Sequence, residues 1–70
     1  MSNHAYIRIL EQEGHTVVFE QRVNKINNNQ LYFTVEESKG HSNKNKYDMT
    51  HDEGYQYMDK LISLGYIGYN

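Results

Sequence analysis

Hydrophobic and polar residues alternate with a period of two in three stretches of the chain, and strands have that period because successive side chains point to opposite faces. In the first, Ala5 to Gln12, residues Ala5, Ile7 and Ile9 share one face while Tyr6, Arg8 and Leu10 share the other. In the second, Thr16 to Asn24, Val17, Phe19 and Val23 lie opposite Val18, Glu20 and Arg22. A hairpin loop centred on Gly14 would place Ile9 across from Phe19 on the buried face and Arg8 across from Glu20 on the outer one. Both pairings are favourable, and a slip of one residue would lose them. Asn27, Asn28 and Asn29 then supply a turn, since Asn tolerates positive φ. The third strand, Gln30 to Glu37, carries Leu31, Phe33 and Val35 on one side. A turn centred on Asn27 or on Asn28 keeps the same faces together, so both remain open.

From Ser38 to Met49 the chain is polar and without periodicity, and it reads as a loop of about twelve residues, longer than the usual connection. Thr50, His51, Asp52 and Glu53 then form a T-x-x-E capping box, the local signature of a helix start. Gly54, Tyr57, Met58, Leu61 and Ile62 fall on one stripe, with Gln56, Asp59, Lys60 and Ser63 facing away. Gly54 costs nearly 1 kcal/mol against Ala inside a helix, so its place on the buried stripe predicts a close approach to the sheet. Gly65 supplies the left-handed position that ends helices, here after Leu64. The tail, Tyr66 to Asn70, reads either as a short strand or as a docking segment.

These elements predict one α+β domain spanning 1–70, a three-stranded antiparallel meander packed on a single C-terminal helix. The inward set is Ile7, Ile9, Val17, Phe19, Val23, Leu31, Phe33, Val35, Met58, Leu61 and Ile62. A chain of 70 residues buries only about 60% of the surface that its unfolded form exposes, so the core has little to spare. With no cysteine, neither a disulfide nor thiolate chemistry supplements it.

The opening residues, Met1 to Tyr6, lack a basic stretch followed by an apolar run, and no apolar segment approaches the roughly 20 residues that span a bilayer. A cytoplasmic location without membrane contact is expected. The abundance of Asn and Tyr, with Lys and Ile, matches AT-rich codons and suggests a bacterial or phage genome.

No catalytic motif stands out. His4, His15, His41 and His51 show no metal-ligand spacing and are expected on the surface, so no metal or cofactor is implied. There is no nucleophile elbow, and Gly40 with its lysines does not make a phosphate-binding loop. Glu36 and Glu37 point to opposite faces of a strand, and Asp52 and Glu53 are accounted for by capping, so neither is a catalytic pair.

The outer sheet face is more informative. It is expected to present Tyr6, Arg8, Leu10, Val18, Glu20, Arg22, Tyr32, Thr34 and Glu36, a mixture closer to an interface than to a solvated face. A non-enzymatic protein-interaction module follows, of the inhibitor or adaptor kind that a phage or mobile element encodes, acting by occupying a partner's surface or by self-association. Its expected contact residues are Tyr6, Arg8, Arg22 and Tyr32, with Lys39, Lys44 and Lys46 in the loop. The alternative is a nucleic-acid binder using the same Tyr and Arg residues and the loop lysines. A net charge of -2 and the presence of Glu20, Glu36 and Glu37 rank it second.

Overall fold

The computed structural model describes residues 6–40 and 43–69, with Asn43 described by its backbone alone. His4, Ala5 and His41 lie outside the described residues. In chain order the elements are β1 (Ile7–Gln12), β2 (His15–Asn24), β3 (Gln30–Lys39), β4 (Asn43–Thr50), α1 (His51–Ser63) and β5 (Ile67–Tyr69). The sheet is antiparallel, ordered β4-β3-β2-β1-β5, with the helix across one face. The α+β class, the meander, the C-terminal helix and the short final strand match the sequence reading. The sheet has five strands rather than three.

Two strands depart from expectation. The first hairpin turns on Glu13 and Gly14 together, both at positive φ (49° and 82°), which is the two-residue geometry that matches the twist of paired strands. Gln12 therefore faces His15, Arg8 faces Phe19 and Ile9 faces Val18. This is the one-residue slip that reverses every side chain of β1. Leu10 is fully buried in the core, while Ile7 and Ile9 go to the opposite face.

The second departure is the segment from Ser38 to Met49, which is not a long loop. β3 runs on to Lys39, Gly40 turns at φ 66°, and β4 pairs with β3 from Lys39↔Asn43 to Tyr32↔Thr50. Edge strands need little apolar content, because β3 supplies the hydrogen-bonding ladder; on the helix side of β4, Tyr47 and Met49 are the apolar residues, beside polar Asn45. The β2–β3 turn is centred on Asn27, with Asn28 and Asn29 both at φ 56°.

The helix forms as its ends dictate. Thr50 Oγ1 accepts from the Glu53 amide, and Glu53 Oε1 accepts from the Thr50 amide, each at 3.1 Å. At the far end the amides of Gly65 and Tyr66 donate to Ile62 and Leu61 carbonyls, a Schellman closure that requires the φ of 102° at Gly65. The core is Leu10, Val17, Phe19, Phe33, Val35, Met58 and Leu61. Val23 and Leu31 lie on the helix side but beyond its cover, and Ile62 is 46% exposed on the helix flank.

Candidate functional site

Sheet parity assigns each expected contact residue to a face. Arg22 and Tyr32 oppose each other on β2 and β3, and Lys44 and Lys46 lie on β4; all four are on the face away from the helix. Tyr6, Arg8 and Lys39 are on the helix side instead, a correction that follows from the β1 register and from the extension of β3. The Tyr6 ring lies 6.3 Å from that of Phe33. Arg8 packs against Gly68, where an added Cβ would meet its Nη2 at 2.8 Å. Lys39 closes β3 opposite His15. The seven residues therefore do not form one site.

The uncovered face is built in rows that cross the sheet. One row reads Tyr69, Ile9, Val18, Glu36, Lys46, and the next Ile67, Glu11, Thr16, Ser38, Lys44. Ile7, Glu20, Thr34 and Asp48 form a third, and Arg22, Tyr32 and Thr50 a fourth. Apart from Glu11 on β1, apolar groups thus collect on β1, β5 and the middle of β2, whereas charge collects on β3, β4 and the end of β2. Ile7 is 45% exposed, Tyr69 48% and Ile67 64%, with no second layer over them among the described residues.

On the polar half Arg22 Nη2 donates to Glu20 Oε1 at 2.9 Å, and Thr34 Oγ1 donates to Asp48 Oδ1 at 3.0 Å. Arg22, Tyr32, Thr34, Lys46, Tyr47 and Asp48 line a shallow depression of about 390 Å³. Three cations, Arg22, Lys44 and Lys46, share this face with the carboxylates of Glu11, Glu20, Glu36 and Asp48, so their charges nearly cancel.

The helix side holds a polar cluster that sequence reasoning missed. Glu37 Oε2 accepts from the hydroxyls of Tyr57, at 3.0 Å, and Tyr47, while Glu37 Oε1 meets His15 Nε2 at 3.2 Å. His15 Nδ1 is in turn hydrogen-bonded to the Tyr66 hydroxyl. Burial pushes the Glu37 carboxyl up, but the hydrogen bonds from Tyr47, Tyr57 and His15 outweigh it and hold its pKa below the ordinary 4.5. Burial, and then the bond to Glu37, push the hydroxyls of Tyr47 and Tyr57 above the phenol value. Tyr47, Tyr57 and His15 converge on one carboxylate and Tyr66 joins through His15, so the cluster ties β2, β3, β4, α1 and the C-terminal segment together. No periodicity could have revealed it, since its members come from five separate places in the chain.

His51 likewise departs from the surface position that its sequence context predicts. It is half-buried, stacked on Phe33 at 5.2 Å and 4°, with Nε2 at 3.0 Å from Gln21 Oε1. No helix is long and apolar enough to cross a membrane among the described residues. No family model matches this chain, and no curated protein or solved structure matches it significantly.

Proposed function

We propose that the chain is a non-enzymatic protein-binding module, and that its binding element is the sheet face away from the helix. One observation carries this reading. Among the described residues a sheet of five strands has a single helix to cover it, and Ile7, Ile67 and Tyr69 stand exposed on the other side beside half-buried Ile9 and Val18. An apolar patch rimmed by polar residues is the surface that a protein interface uses, with Tyr and Arg as its usual anchors. Here Tyr69 stands within the patch, and Arg22 and Tyr32 form its rim.

Nucleic acid fits this face less well. Nonspecific affinity for a phosphate backbone grows with the number of phosphates neutralised, whereas the cations here are interleaved with carboxylates and Arg22 is already paired with Glu20. An inhibitor or adaptor that works by covering a partner's surface needs no further chemistry than this.

The test starts from affinity capture with nuclease present, which identifies a partner. That partner, purified, is then titrated against the wild-type chain and an Ile7→Lys, Ile67→Lys variant. Loss of two apolar contacts is expected to weaken binding by about tenfold or more. Unchanged binding by the variant would refute the reading. So would DNA or RNA affinity that falls steeply with salt and disappears when Arg22, Lys44 and Lys46 are replaced by Ala.

A further inference from the structure

The two edges of the sheet are unequal. β5 closes one side with three residues, whereas β4 presents eight, and among the described residues no strand pairs with its outer side. An open edge of that length is a row of unpaired amides and carbonyls ready to receive another strand. β4 contains no proline, and Lys44, Lys46 and Asp48 are its charged residues. Lysine on an edge guards it when a second copy would bring like charges together. Whether it does so here depends on the register.

A closed two-fold pairing of β4 with itself is antiparallel and keeps the two sheets facing the same way, so the axis must pass beside a residue rather than between two. Centred on Lys46, it sets Lys46 against Lys46 of the second copy. Centred on Asp48, it sets Asp48 against Asp48 of the second copy. Centred on Asn45, it opposes Lys44 and Lys46, and centred on Met49 it leaves only a short overlap within the strand. Centred on Tyr47, it places Lys46 opposite Asp48 of the second copy, twice by symmetry. That register also runs from Lys44 opposite Thr50 of the second copy to its symmetry mate, and so uses nearly the whole of β4.

We propose that β4 is a self-recognition edge and that two copies of this chain join through it about a two-fold axis at Tyr47. The product is a continuous ten-stranded sheet with both helices on one side. The other side becomes a single surface twice as wide, which carries two copies of the Ile7, Ile67 and Tyr69 patch. Backbone hydrogen bonds hold the edges, and the Lys46 and Asp48 pairs select the register. The interface is small, below about 1,200 Å², so dimerisation depends on concentration.

Sedimentation of the wild-type chain from about 10 μM to 1 mM, a range chosen for an interface of that size, is expected to show a monomer–dimer equilibrium. Lys46→Glu and Asp48→Lys each place like charges across the axis and are expected to raise the dimer Kd about tenfold or more. Their equimolar mixture pairs unlike charges at both positions and is expected to restore a dimer. Thermal melting accompanies each variant, because Lys46→Glu also faces Glu36 and Asp48→Lys removes the acceptor of Thr34. If Asp48→Lys does not fold, Lys46→Glu combined with Asp48→Asn removes the repulsion and is expected to recover dimer relative to Lys46→Glu alone; failure to do so overturns the proposal. A wild-type chain that stays monomeric overturns it, as do single variants that dimerise like the wild type. A dimer that is lost in the Ile7→Lys, Ile67→Lys variant but kept in the edge variants would overturn edge pairing while leaving the face itself a protein-binding surface.

Discussion

The ring of Phe33 occupies the space that a side chain on Gly54 would need. A Cβ at residue 54 would come within 2.7 Å of Phe33 Cε2 and closer still to Cδ2, and both atoms belong to a fully buried ring. Gly54→Ala therefore forces Phe33 off its position, and Phe33 also packs against Phe19, Tyr55 and His51. Overpacking of this kind costs about 1 to 3 kcal/mol, against which the better helix propensity of Ala returns nearly 1. A net loss is expected in urea unfolding, and a rise in stability would show that the helix can lift away from the sheet.

The capping box makes a cleaner local prediction. Thr50→Ala removes the acceptor for the Glu53 amide without touching the core, and is expected to lower stability by about 0.5 to 2 kcal/mol. Glu53→Ala leaves the Thr50 bond in place and should cost less. Equal losses in the two variants, read from thermal unfolding, would mean that the box acts only as a unit.

At the first hairpin, Gly14 stands at φ 82° with open space where a Cβ would go, so the penalty for Gly14→Ala is one of backbone strain alone. About 1 to 2 kcal/mol is expected. Glu13→Asn should act in the opposite direction, because Asn followed by Gly is the favoured pair for a turn with two left-handed residues. Hydrogen exchange of the β1 and β2 amides would report both changes.

The pH dependence of stability should have two limbs set by the Glu37 cluster. The Glu37 pKa is depressed in the folded chain, so its contribution is complete above the unfolded value of 4.5 and drains away as pH falls below it. The Tyr47 pKa is raised, so its contribution is complete below the phenol value of 10.0 and is lost as pH rises beyond it. Glu37→Gln is expected to flatten the acid limb and Tyr47→Phe the alkaline one, in melting curves taken across both ranges. Limbs as steep as those of the wild type would place the titration elsewhere.

Local chemistry was legible in the sequence wherever the partners lie within a few residues. The helix is the clearest case, since Thr50 and Glu53 bind each other's amides and Gly65 provides the backbone angle that lets Tyr66 reach Leu61. The inward sets of β2 and β3 are similar, because alternation alone places Val17, Phe19, Phe33 and Val35 on one side.

Tertiary structure decided what alternation leaves degenerate. β1 is amphipathic on both faces, with Ile7 and Ile9 on one and Leu10 on the other, and the length of a single turn chose between them. Glu13 took up a left-handed angle, and Leu10 rather than Ile9 entered the core. β4 shows almost no pattern of its own and became a strand because the unpaired ladder of β3 was there to complete. The outer face changed with these two choices: it lost Tyr6, Arg8 and Leu10 and gained Ile7, Ile9, Lys44 and Lys46. The Glu37 cluster draws its five members from strands, helix and C-terminal segment alike. Such contacts exist only after the chain has closed on itself, since each depends on distant residues brought together by the same sheet.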